Sequence, residues 1–264
     1  MRIPGEAPPR AETRRRHGRR RALVAALLAV SLMVAVVIAG LVWLAALPGV
    51  GDAQGRVAAI LREHGGRSVG LSLPSRMAES IVAVEDQRFY AHHGVDPQSV
   101  IRVVWALLRG KGWQDQGGST ITQQLAKRLY TGNRGGLGAT LEQVGLAIKL
   151  ERRWSKTQIL RMYLDSVYFG DGHWGAVQAS EGYFGKAPQR LSWGEASLLA
   201  GLVQAPSAYD PRVHLAAAEQ RQRHVLDRLV AAGALRPAQA EAASRRVAAE
   251  AGRLGFTTAP AGNS

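Results

Sequence analysis

No cysteine occurs in this chain of 264 residues. That absence excludes a disulfide scaffold, thiolate zinc sites, iron–sulfur clusters and a lipid-modified cysteine anchor, while leaving the compartment open. Acidic residues are few: 20 Asp and Glu stand against 34 Lys and Arg, for a net charge of +14. The adjacent histidines His92 and His93 lack the spacing of an HExxH site, and neighbouring rings rarely chelate one ion. The Walker order G-K-[ST] is missing too. Neither period-2 alternation nor an internal repeat is visible, which argues against a sheet-based domain or a solenoid.

What is present starts with charge and a long apolar run. Residues 1–21 hold eight Arg against Glu6 and Glu12, so the tail supplies +6 of the net charge. Ala22 to Leu47 then contains no charged residue over 26 positions. As a helix this run reaches about 39 Å, enough to cross a hydrocarbon core of about 30 Å with some tilt. It exceeds the apolar region of a cleaved signal peptide, so the reading is an uncleaved signal anchor. The Arg cluster places the N-terminus in the cytoplasm and the rest of the chain outside. Beside a membrane span, the Arg run suits anionic lipid better than nucleic acid.

The hydrophobic share of 46% is enough for a real core. Residues 48–73 are Gly-rich and weakly patterned and read as a linker. From Pro74 onward the pattern is helical: a first helix from Ser75 through Val84, a second opening at Asp96-Pro97, and a third opening at 117–120 with Ser119 as cap. Further helical stretches fall near 139–153, 155–166, 174–184, 192–204, 214–232 and 237–250. The expected organisation is a basic tail (1–21), an anchor (22–47), a linker (48–73), an all-α domain (74–252) and a disordered tail (253–264).

Two stretches carry chemistry. In Ile81-Val82-Ala83-Val84-Glu85-Asp86, two carboxylates follow an apolar run. Successive helical residues point about 100° apart, so the pair cannot share one role. If Glu85 faces the apolar side, desolvation favours it as a general base or acid. Asp86 would then pair with Arg88 or cap backbone groups; exposed acids at a helix end are the plain alternative. In Gly117-Gly118-Ser119-Thr120-Ile121-Thr122-Gln123-Gln124-Leu125-Ala126-Lys127-Arg128, a Gly-rich turn enters a helix start with hydroxyls, amides and cations. Such a start suits a diphosphate, and it also suits an ordinary capped helix.

These stretches together resemble the peptidoglycan glycosyltransferases, glycosyltransferase family 51. The signatures are Glu85-Asp86-x-x-Phe89-x-x-His92-x-Gly94, then Gly117-Gly118-Ser119-Thr120-Ile121-Thr122-Gln123-Gln124-x-x-Lys127. Tyr168-Phe169-Gly170-x-Gly172, Tyr183-Phe184-Gly185-Lys186, Glu195-Ala196-Ser197-Leu198-Leu199-Ala200-Gly201 and Gln204-Ala205-Pro206-Ser207 follow in the family's order, so the match spans 76–211. The resemblance implies an all-α, lysozyme-like glycosyltransferase domain with a small membrane-dipping lobe. It implies polymerisation of lipid II with inversion, undecaprenyl diphosphate leaving and Glu85 acting as base. Asp86, Ser119, Thr120, Gln123, Gln124 and Lys127 become expected substrate-binding residues. Lipid II, the growing glycan chain, the membrane and separate transpeptidases are the expected partners, and nucleic acid is not one. No cofactor is expected, although a divalent cation would suit a diphosphate leaving group. No Ser-x-x-Lys occurs and 53 residues follow Pro211, so transpeptidase activity is not expected.

Two departures stand out. The family's third signature, Arg-Lys-x-x-Glu, falls on Ala139-Thr140-Leu141-Glu142-Gln143, which lacks both cations and carries Gln143 at the acid position. Glu142, one step away, is the candidate second catalytic acid. Arg128 replaces the usual Asn. The departures motivate a rival reading, a lipid II-binding scaffold without turnover. A wall-cleaving lysozyme-like hydrolase is a further rival, opposed by the ordered GGSTITQQ and QAPS signatures.

Overall fold

The computed structural model describes residues 10–98, 101, 109 and 118–256, with side chains from residue 23 onward. It divides into two units, Met1–Pro48 and Gly49–Ser264. In the first, α1 (Arg10–Ala46) is one continuous helix. Its stretch Leu23–Ala46 is long and apolar enough to cross a membrane. The expected span therefore begins inside a helix that runs back into the basic tail.

The second unit is helical, and among the described residues it has no strand, only an isolated bridge between Tyr168 and Trp174. The all-α expectation holds. Helix α2 (Ala53–Glu63) lies inside the stretch read as a linker, which corrects that boundary. Val57 and Leu61, one turn apart, bury with Ala53 and help tie α2 to the core. Glycines on both sides of the helix, and Gly55 within it, hid this short period in the sequence. Helix α3 (Ser75–Glu85) follows, with Met77, Ala78, Ile81 and Ala83 buried; Pro74 rather than Ser75 takes the cap position. The stretch expected as the second helix from Asp96-Pro97 lies largely outside the described residues.

Helix α4 (Ile121–Ala126) is capped by Thr120, not Ser119. The Thr120 hydroxyl accepts from the Gln123 N–H, and the Gln123 side chain accepts from the Thr120 N–H. Two orphan donors are thereby satisfied reciprocally. The chain widens into a π turn over Lys127–Thr131 before α5 (Gly136–Arg153) and α6 (Lys156–Ser166). Helices α7 (Gly175–Phe184) and α8 (Trp193–Leu202) come next, then α9 (Leu215–Ala231) and α10 (Pro237–Glu250).

Every residue of α8 from Gly194 to Leu202 is buried. A helix apolar all round belongs in a core, and its one acid, Glu195, is absorbed by its own capping box and by Lys186. Burial pushes the Glu195 carboxyl up, but the Lys186 and Ser192 hydrogen bonds outweigh it and hold the carboxyl below its usual range. Helices α3, α8 and α9 pack on one another, with α10 against α8 and α9. A second group joins α4 to α5 and α6, with α2 on α6. At the other end, Phe256 packs edge-on against Tyr183 and Phe184, so the ordered domain reaches past residue 253. Residues 257–264 of the expected tail lie outside the described residues.

Candidate active site

Glu85 is the last residue of α3 and lies between the two helix groups. Its side chain is 11% exposed. From α4, the Gln124 amide nitrogen donates to Glu85 Oε2 at 2.7 Å. The buried Tyr163 of α6 donates its hydroxyl to Gln124 Oε1 at 2.8 Å, which fixes the amide with its nitrogen toward the carboxylate. From α9, Arg221 Nη2 stands 3.8 Å from Glu85 Oε1. Burial raises the Tyr163 hydroxyl pKa, the Glu85 charge adds to the rise, and Arg128 opposes it. Burial lowers the Arg221 pKa, and Glu85 opposes that shift. The base candidate is thus held from both sides by helices far apart in sequence.

Asp86 parts from its neighbour, as the 100° argument requires. The chain leaves the helix there, and the buried Asp86 carboxylate turns inward. It meets His92 Nε2 at 2.9 and 3.0 Å and accepts from the Ile121 N–H at 3.1 Å. Of the two expected roles, backbone capping is the one found; Arg88 instead lies 3.7 Å from Asp96. Protein donors engage both Asp86 oxygens, so this residue joins α3 to the start of α4. Thr120 is similar: its buried hydroxyl donates to Gly94 O at 2.7 Å and belongs to the cap. Gly94 has φ +91°, and a Cβ there would lie 2.9 Å from the Ala147 carbonyl, so glycine alone permits this approach to α5.

A cleft of about 830 Å³ opens beside Glu85, lined also by Ser119, Gln123, Gln124, Lys127, Arg128 and Gln143. A second concavity of about 420 Å³ shares Glu85 and Ser119 and reaches Arg88, Asp96 and Arg228. The structure therefore gathers Glu85, Ser119, Gln123, Gln124 and Lys127 along the larger cleft, while Asp86 and Thr120, engaged in hydrogen bonds of the framework, line the smaller concavity. At the disputed acid position, Gln143 lines the cleft and donates to Thr131 Oγ1 at 3.1 Å. Glu142 turns toward Arg134 at 3.1 Å. Among the described residues, no group of three or more His, Asp or Glu side chains is arranged to hold a metal ion.

The sequence motifs gave no place in the site to Arg221, Arg228 or Tyr163. The one available signal was the placing of Arg221 and Arg228 seven residues apart on α9, flanking the buried face of Gln222, Val225 and Leu229.

Comparison with known proteins identifies the family of the chain. The family model described as transglycosylase matches residues 56–230. Penicillin-binding protein 1A of Aquifex aeolicus is 41% identical over 171 residues, 65% of this chain and 23% of that protein. A Cupriavidus necator protein named as a candidate transglycosylase is 37% identical over 161 residues, 61% of this chain and 69% of its own length. The chain thus spans about a quarter of the penicillin-binding protein, whose length is mostly outside the match. The crystal structure of penicillin-binding protein 1A from Haemophilus influenzae aligns with 47% of this chain and 15% of that one, at 25% identity and a TM-score of 0.32. With the family model covering well over half of its residues, this chain belongs to the transglycosylase family.

Proposed function

We propose that the chain polymerises lipid II into glycan strands, with Glu85 as the general base. The observation that carries this reading is the position of Glu85 on the boundary shared by the two concavities. One concavity would take the acceptor sugar and the other the diphosphate-linked donor. Glu85 accepts the proton of the acceptor 4-hydroxyl as that oxygen attacks the anomeric carbon from the face opposite the leaving group. The new glycosidic C–O bond forms with inversion. The C–O bond to the diphosphate breaks, and undecaprenyl diphosphate departs with the electron pair. Gln124 and Arg221 hold the carboxylate in place, and the cations of the larger cleft face the leaving anion.

A membrane-anchored protein fits both the apolar helix and the lipid-linked substrate. The proposed topology leaves the N-terminal tail in the cytoplasm and the domain outside, where separate transpeptidases would cross-link its product. Gln143 in the cleft favours a second reading, a scaffold that binds lipid II without turning it over. The deciding experiment is lipid II polymerisation in liposomes by the full chain beside Glu85→Gln. Product from the parent and none from the variant supports the enzyme. Lipid II binding by a folded parent that makes no product supports the scaffold.

A further inference from the structure

The larger cleft holds two adjacent cations, Lys127 and Arg128, on the π turn that follows α4. A π turn is wider than an α turn and recurs at functional sites. The Gly132 N–H closes it on Lys127 O at 2.7 Å. Lys127 is exposed, and neither cation forms an ion pair with a described residue. The Arg128 Nε is buried without a hydrogen-bond partner. Its guanidinium lies over the Tyr163 ring, 5.5 Å from the centroid, and so rests on the side chain that orients Gln124 toward Glu85. Two carboxylates reach the same cleft. Glu85 already has Arg221, and Glu63 is exposed on α2. Gln143 adds no charge where a carboxylate would have offset the cations. Neither cation is held by a carboxylate across the cleft, so both remain available to an anion that enters it.

We propose that Arg128, together with Lys127, holds the diphosphate of the polyprenyl-linked substrate, supplying the positive charge that the third signature lacks here. This rests on the proposed function for the identity of the lipid. An Arg fork matches phosphate oxygens in pairs, which suits a diphosphate better than a single phosphate. The planar group is held by the ring beneath it, so little ordering is left for the moment of binding.

The test uses the full chain in neutral detergent micelles carrying undecaprenyl diphosphate, undecaprenyl monophosphate or phosphatidylglycerol. The parent, Arg128→Gln and Arg128→Lys are compared, with thermal melts to show that each is folded. The expected result is a parent preference for the diphosphate that falls about tenfold in Arg128→Gln and less in Arg128→Lys. An unchanged preference in Arg128→Gln would overturn the proposal. So would an equal loss for all three lipids, which would make Arg128 a general contact for anionic surfaces. Polymerisation separates this proposal from the reading beneath it. If the parent makes no glycan but keeps an Arg128-dependent diphosphate preference, the function fails and the anion site stands. If Arg128→Gln makes glycan with the parent's KM, the function stands and the anion site fails.

Discussion

The two ends of the active cleft are built on opposite terms. At the carboxylate end every group has a protein partner: Glu85 has Gln124 and Arg221, Gln124 has Tyr163, and Asp86 has His92 and the start of α4. At the cation end Lys127 and Arg128 have no carboxylate partner among the described residues, and one buried nitrogen of Arg128 has no acceptor. Two cations without an ion-pair partner facing one cleft offer an anion charge-assisted hydrogen bonds there. A base gains from a fixed position before the substrate arrives, whereas a site for an anionic leaving group gains from charges left uncompensated.

The largest expected effect tests the partnered end. Glu85→Gln keeps the side chain's shape and loses its proton acceptor, so the polymerisation rate should fall by about 10²- to 10⁴-fold. The melting temperature should move little, because the oxygen of the new amide can still accept from the Gln124 side chain. Asp86→Ala should do the opposite. It leaves His92 and the Ile121 N–H buried without their acceptor, at a cost of about 3 kcal/mol. Urea unfolding would register that loss. If Asp86→Ala folds normally but cannot bind substrate, the division between the two carboxylates is wrong. Arg221→Gln falls between these cases: kcat should drop about tenfold with KM nearly unchanged, since Arg221 acts through Glu85. A change in KM alone would move Arg221 to the substrate.

Much of the frame was legible because it is local. The capping boxes Ser155/Gln158 and Ser192/Glu195 mark α6 and α8 in the sequence, and both helices begin within a residue of their expected starts. Helix α2 was not legible: its apolar face is short, Val57, Ile60 and Leu61 with Ala53, it lies between glycine-containing stretches, and the burial that secures it comes largely from α6. The same distinction runs through the site. Glu85 announces itself through the apolar run before it. The roles of Tyr163 and Arg221 depend on partners 39 and 136 positions away, and no local pattern encodes those meetings. Thr120 adds a role that its place in a signature does not reveal, because its hydroxyl serves Gly94 and the cap while the residue lines the smaller concavity.

A smaller effect concerns the loop before α7. Burial lowers the His173 pKa below its ordinary value, with Asp171 opposing. A depressed histidine favours the native state when neutral. Stability should therefore be complete above about pH 6.5 and decline as pH falls through the lower native value. Urea midpoints measured from pH 8 to 5 should show that decline in the parent and a flatter profile in His173→Gln. An equal slope in both would remove His173 from the account.

The smallest expected effect comes from two adjacent residues that only the structure separates. Glu142→Gln breaks a half-exposed pair with Arg134, a class of contact worth about 0.2–1 kcal/mol, so both stability and polymerisation should stay near parent values. Gln143→Glu instead places a negative charge in the cleft that holds Lys127 and Arg128. That charge offsets the cations and repels an incoming diphosphate, so KM for lipid II should rise several-fold while kcat changes less. The two variants differ by one position and by about 100° of helix rotation, so they distinguish the structural assignment from the one suggested by spacing. If Glu142→Gln abolishes polymerisation while Gln143→Glu is silent, then Glu142 is the second acid after all. The cleft would then have to close around Glu142 when substrate binds.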